Sequence, residues 1–211
     1  MLRLEAYEKF KEQILSGELK PGQMVSQREL ANIVGVPLGP AREAIQRLAF
    51  ESLLRVHPNR GVQVSEITYR TIRSAYQMRS ILETAAIKAF VQTAEDEQIM
   101  ELIDAVEVII ARSRDTSDAD FIAEAVDTDW KMHEAFVDSM RNDIVSESFQ
   151  INHSRIVLFR LNNRFSHDRL GSAMREHLSI LECCLKRESD AAVNLLCEHI
   201  STSKKNTLAE L

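Results

Sequence analysis

Apolar side chains recur at helical spacing at Leu4, Tyr7, Phe10, Ile14 and Leu15, which predicts a helix over residues 4–16 with one buried stripe. Gly17 ends that helix, and Pro21-Gly22 predicts a turn. Ser26 and Glu29 have the spacing of a capping box, so a short helix begins there and runs to about residue 34, where Gly35 stops it. After the tight segment 36–39, Pro40 takes the first position of a new helix that continues through Ala44, Ile45 and Leu48 to about residue 51. Two short apolar runs, 53–56 and 62–64, flank His57-Pro58-Asn59-Arg60-Gly61 and read as a β-hairpin with a basic turn. From Thr68 the period changes. Residues 68–91 form a long amphipathic stretch with Ile72, Ala75, Met78, Ile81, Leu82, Ala85 and Ala86 on one side, and further helices fit 95–113, 117–140, 143–162, 166–186 and 189–208.

Composition sharpens this division. All four prolines and five of the six glycines lie in residues 1–61, so the remainder has few residues suited to hairpins and reads as almost purely helical. The expected fold is mainly α: a domain of residues 1–66 holding three helices and a hairpin, then an all-α antiparallel bundle of residues 67–211. Charge divides at the same place, net +1 for the first 66 residues and net -7 for the rest. An overall charge of -6 argues against a chain that coats nucleic acid without regard to sequence, and leaves room for a small, locally basic reading head. The opening residues lack the apolar run of a signal peptide and no stretch of eighteen apolar residues occurs, so a cytoplasmic protein with no membrane partner is expected. Cys183, Cys184 and Cys197 follow no metal-knuckle or disulfide spacing and read as reduced, packing thiols.

Two short helices joined by a Gly-containing turn make a helix-turn-helix unit, and the following hairpin makes it a winged one. The stretches Ser16-Gly17-Glu18-Leu19-Lys20-Pro21-Gly22, Gln27-Arg28-Glu29-Leu30-Ala31, Pro40-Ala41-Arg42-Glu43-Ala44-Ile45, Arg47-Leu48 and Asn59-Arg60-Gly61 closely resemble the head of GntR family bacterial regulators, in order and spacing. The resemblance implies that Arg28, Arg42 and the wing tip at Arg60-Gly61 meet DNA. Arginine can bridge guanine O6 and N7 or clamp a phosphate, and glycine permits close backbone approach. Gln46 and Arg47 face partly the same way as Arg42, although Arg47 is equally suited to a phosphate contact or a surface ion pair. Without the family, Arg28 and Arg42 read as solvated helix charges. The chain departs from the family at Leu38 and Gly39, where a polar pair is usual; neither can donate to a base edge, which leaves at most an apolar contact with a thymine methyl.

In the second part, Asp129 and His133 stand four apart on one helix face, while His177 and His199 lie at or beside the apolar stripes of two later helices. Convergence of three imidazoles and a carboxylate would suit a divalent transition metal, zinc or nickel first, iron or manganese also, with positions open to water or an acid. Spacing alone equally allows a helical Asp129–His133 ion pair and two separately satisfied histidines. This region resembles the metal-holding kind of FCD domain, carried by Asp129, Met132, His133 and Asn142, by Glu176-His177 and by His199. The resemblance implies a metal on Asp129, His133, His177 and His199, and an effector site that includes Arg79 and Asn142. Arg79 can bind an effector carboxylate or form an i,i+4 bridge to Glu83.

The family further implies a homodimer that reads an inverted repeat in double-stranded DNA and whose affinity answers to a small carboxylate, with repression as the first expectation. Two rival readings remain: a regulator for which the metal itself is the signal, and a metal-dependent hydrolase using Glu176 as base, which would leave residues 1–66 without a purpose.

Overall fold

Ser26 Oγ accepts the amide of Glu29 at 3.1 Å while the Glu29 carboxylate accepts that of Ser26 at 2.8 Å. This reciprocal cap starts the second helix of the computed structural model, which describes residues 2–113, 116, 118–161 and 167–211, without the side chains of His167 and Asp168. In chain order the elements are α1 (Leu2–Leu15), β1 (Met24–Val25), α2 (Gln27–Val34), α3 (Leu38–Phe50), β2 (Leu54–His57), β3 (Gly61–Val64), α4 (Tyr69–Thr93), α5 (Asp96–Arg112), α6 (Ala119–Asp138), α7 (Asp143–Phe159), α8 (His167–Leu185) and α9 (Ser189–Leu208). Ser117, Asn162 and Ser166, where the pattern begins or ends three of the predicted helices, lie outside the described residues. Among the described residues no helix is long and apolar enough to cross a membrane.

The chain folds as two compact units, Met1–Ala75 with Ile151–Asn163 and Glu210–Leu211, and Tyr76–Gln150 with Arg164–Ala209. Contacts therefore do not divide at residue 67: the first turns of α4 and the second half of α7 belong with the head. Leu158 joins the head core of Phe10, Ile14, Leu30, Ile45, Leu48 and Leu53, and Asn152 Nδ2 donates to Ala75 O at 3.0 Å.

Three details of the head differ from the sequence reading, and a fourth adds a bond to it. Leu4 is exposed, and the buried stripe of α1 is Ala6, Tyr7, Phe10 and Ile14. Helix α3 starts at Leu38, two residues before Pro40. The first four amides of a helix have no intrahelical acceptor, so a proline at the third position forfeits no bond, and the first closing bond runs from Ala41 N to Pro37 O at 3.2 Å. A two-residue strand, β1, is too short for any period to reveal; it pairs antiparallel with β3, giving the sheet order β1-β3-β2. Finally, the buried residues of α1 include Tyr7, whose hydroxyl donates to both oxygens of the buried Glu51 carboxylate at 2.9 and 3.0 Å. That polar link between the helix and the end of α3 pushes the tyrosine proton affinity up, by burial first and then by the Glu51 bond.

In the second unit, α8 packs on α5 and α9, and α6 on α5 and α8, giving the expected helical bundle. The face of α4 is rotated from the expected one: Ile81 and Ala85 are exposed, and the buried register runs through Tyr76, Arg79, Glu83, Ala86, Ile87 and Phe90. Two charged residues thus occupy core positions.

The wing glycine is required by the sheet itself. Gly61 has φ +107°, and a Cβ there would sit 2.8 Å from Val25 O on β1. Gly61→Ala is therefore expected to lower stability by about 1–3 kcal/mol. Gly39→Ala, which meets open space in a helical backbone, should be neutral or stabilising by up to about 1 kcal/mol. Calorimetric unfolding of the two variants checks the contrast.

Candidate metal centre and nucleic-acid interface

Three helices of the second unit turn four polar residues into an apolar interior. Helix α6 places Asp129 and His133 one turn apart, α8 supplies His177 and α9 supplies His199; all four are buried. One ligand atom from each lies within 4.8 Å of the others. His177 Nε2 is 3.2 Å from Asp129 Oδ1 and 3.2 Å from His199 Nε2, and the His133 ring stacks on that of His199 with centroids 5.3 Å apart. The structure thus brings together the whole set expected from sequence.

Around this set stand groups that the pattern along the chain did not connect. His133 Nδ1 lies 2.7 Å from Glu83 Oε2, and His199 Nδ1 lies 2.7 Å from Glu176 Oε2. Arg169 Nη1 in turn donates to Glu176 Oε1 at 2.8 Å. Arg79 and Glu83, both with no exposed surface, form the i,i+4 bridge at 2.7 Å. The Arg79 guanidinium also donates through Nη2 to His133 Nε2 at 2.6 Å and lies over the Trp130 ring, 5.1 Å from its centre. Arg79 therefore belongs to the cluster. The bridge to Glu83 was visible as a spacing, whereas the contacts across 54 and 23 residues of chain carry no local signal.

Burial governs the charge states. Desolvation holds the His177 imidazolium below its ordinary range, with Asp129 opposing. His199 is lowered further, by burial and then by the neighbouring His177 and His133. Desolvation raises Glu83 despite Arg79, and Arg79 stays charged because Glu83 and Asp129 outweigh the loss of water around it. Neutral imidazoles with inward-facing nitrogens and a carboxylate, packed in a dry core, are a donor set suited to a borderline divalent cation. Among the described residues His177 Nδ1 is buried without a hydrogen-bond partner, so this ring is held by packing and by the contacts of its Nε2 with Asp129 and His199.

Asn142 has a different occupation from the one expected. It is exposed and caps α7, its Oδ1 accepting the amides of Ile144 at 3.1 Å and Val145 at 3.3 Å, which leaves the side chain committed to its own helix.

On the head, Arg28, Arg42, Gln46 and Arg60 are exposed, and Arg42 Nε donates to Gln27 Oε1 at 3.1 Å, tying the second helix of the unit to the first. Arg47 follows the ion-pair alternative: its Nε meets Glu51 Oε1 at 3.2 Å and its guanidinium stacks 3.7 Å from the centre of the Tyr7 ring. Leu38 is half-buried and packs against the head core. Gly61 serves the β1–β3 pairing already described, besides any role at a DNA surface.

A winged helix-turn-helix ahead of a helical bundle defines a DNA-binding transcription regulator. The sequence matches the bacterial regulatory proteins of the gntR family over residues 2–64 and the FCD domain over residues 74–202; the chain belongs to the FCD-bearing gntR family regulators. It is 26% identical over 208 residues to the HTH-type transcriptional regulator YdhC of Bacillus subtilis, spanning 93% of this chain and 90% of that protein. The structure of E. coli McbR/YncC shares the fold, with TM-score 0.81 at 20% identity over 99% of this chain and 98% of that one. The Zn2+-bound FCD domain of TM0439 matches at TM-score 0.55 and 18% identity, covering 69% of this chain and 96% of that one. These families are transcription regulators and the chain is not an enzyme, which disposes of the hydrolase alternative.

Removing Arg79 would strand the Glu83 carboxylate in a dry interior. Arg79→Ala is expected to cost about 3–5 kcal/mol in urea unfolding of metal-free protein, followed by the emission of Trp130, the single tryptophan. Arg28→Ala, at the surface, should stay within about 0.5 kcal/mol of the parent.

Proposed function

We propose that the chain acts as a homodimeric repressor whose grip on an inverted-repeat operator is set by a small carboxylic acid bound at a divalent metal, zinc or nickel first, in the second unit. The observation that carries this reading is the convergence of Asp129, His133, His177 and His199 with a carboxylate behind two of the imidazoles. Glu83 and Glu176 each engage an Nδ1 and so leave the corresponding Nε2 to face the centre, the arrangement that orients ligating histidines. A divalent ion held there would supply Lewis-acid anchoring for an acid's oxygen. Arg79 stands beside the same point with a permanent charge suited to the other carboxylate oxygen. The zinc-bound FCD domain of similar fold supports the same choice of metal.

On the head, Arg28 and Arg42 are the side chains we assign to DNA, with Gln46 and Arg60 beside them and the Gly61 backbone at the wing. An acid that prefers one arrangement of the dimer must weaken or strengthen operator binding by the same factor that DNA imposes on the acid; about 1–3 kcal/mol of such coupling gives a useful response.

A second reading makes the metal itself the signal. It draws on one contact: Arg79 Nη2 already lies against His133 Nε2, so filling the cluster requires the guanidinium to turn away, and α4 carries that change.

Four measurements test these assignments. His133→Ala should lose the metal by elemental analysis, and unchanged content would defeat both readings. Glu176→Gln should keep the fold and weaken metal binding about 10–100-fold. Electrophoretic shifts on the protein's own promoter, at matched salt, should show operator affinity changing with hydroxy or sugar acids in metal-loaded protein; a response to metal with none to any acid selects the second reading. Arg42→Ala and Arg28→Ala should each weaken the complex and reduce its salt slope by about 1.

A further inference from the structure

Apart from the histidine cluster, the first unit contains a cavity of about 520 Å³, and every residue that lines it belongs to that unit. It opens on the outer face of the three-stranded sheet. Leu54, Val62 and Val64 point into the head core, so by the period of two Arg55 and its register partner Gln63 point the other way, into the cavity wall. The first turns of α4 add Arg70 and Thr71, and α7 adds Arg155.

The wall combines three guanidinium groups, those of Arg55, Arg70 and Arg155, with an apolar floor of Ala75, Leu158 and Phe159. One carboxylate, Glu66, also lines it and accepts from Gln63 Nε2 at 3.2 Å. Among the described residues none of the three arginines forms an ion pair. Arg155 is the most informative of them. It is half-buried, and its hydrogen-bond partners among the described residues are neutral: Nε donates to Glu51 O at 2.9 Å and Nη2 to Ser52 Oγ at 3.4 Å. These bonds aim the guanidinium while leaving donors over. Burial lowers its proton affinity, with Glu51 opposing, as expected for a cation that has lost water without gaining a carboxylate. Such a group gains most from an anion that arrives from outside.

We propose that this cavity is a second ligand site, distinct from the histidine cluster, that takes a small organic oxyanion: a phosphate ester or carboxylate whose head meets Arg55, Arg70 and Arg155 and whose apolar body rests on Leu158 and Phe159. The volume falls in the range of small-molecule sites, and an apolar floor with a few convergent charged donors is how such sites fix orientation. DNA phosphates are a poorer match, because a duplex backbone has no use for an apolar floor.

The test uses the full chain, metal-loaded and chelator-treated, titrated calorimetrically with phenyl phosphate and with phenylacetate. Saturable binding of at least one probe is expected, unaffected by chelation, and the probe that binds more tightly identifies the head group. Arg55→Gln/Arg70→Gln, both at exposed positions where folding is not at stake, should weaken it about tenfold or more. Arg155→Gln should do the same with the parent's unfolding midpoint. Failure of both probes to bind, binding that disappears on chelation, or binding unchanged in the double variant overturns the proposal. So does a double variant that binds the probes normally but loses operator affinity with a shallower salt dependence, since its arginines would then be DNA contacts. Probe binding by the chelator-treated chain, and its loss in the double variant, do not depend on whether the histidine cluster holds a metal.

Discussion

A guanidinium and a carboxylate with no exposed surface cannot be left alone in a helical core, where each ion removed from water costs several kcal/mol before any attraction is counted. Arg79 and Glu83 meet that demand first through each other and then through His133, which touches both. The rest of the cluster follows from this constraint. His133 is held between a carboxylate on one nitrogen and a cation on the other, His199 is held by Glu176, and the rings are close enough that only neutral or cation-shared states are tolerable. The bundle is thus organised around a polar centre as much as around its apolar contacts.

That centre was legible in part. Asp129 and His133 announce a shared face by their spacing, His177 and His199 stand out beside apolar stripes, and the resemblance to FCD domains joined the four as one metal set; proximity needed the tertiary fold. Glu83 could have been seen as special, because it stands in the same 3.6-residue register as Tyr76, Ala86 and Phe90, where a carboxylate without a partner is not tolerated. The spacing showed its bridge to Arg79, but choosing Ile81 and Ala85 for the buried face hid its burial. The error is a physical one: apolar residues lie on both sides of α4, and only packing decides which side is covered. Asn142 misled for the opposite reason, since a helix-end asparagine has a local use that needs no ligand.

In the head, punctuation was the reliable signal. Gly17, Gly35, Ser26 with Glu29, and the wing turn each specify a backbone state that few alternatives satisfy, so elements were placed nearly to the residue. What escaped were features set by distant pairing: the strand Met24–Val25, which exists only because β3 offers it an edge, and the bond from Tyr7 to Glu51 across 44 residues. The same dependence explains Arg47, whose stacking on Tyr7 and pairing with Glu51 commit an exposed cation that the pattern alone left free to choose.

The inward turn of Leu38 bears on how such a head discriminates among promoters. With that side chain packed on the core and Gly39 next to it, the opening of the recognition helix presents backbone and no hydrogen-bonding side chain to a groove. On the DNA reading proposed above, contacts to base edges would then fall to Arg42 and Gln46 further along the helix, and a larger share of discrimination would fall to how readily a given stretch of duplex bends, narrows or kinks to fit. Under that reading, two promoters with little common sequence would be bound alike where they flex alike.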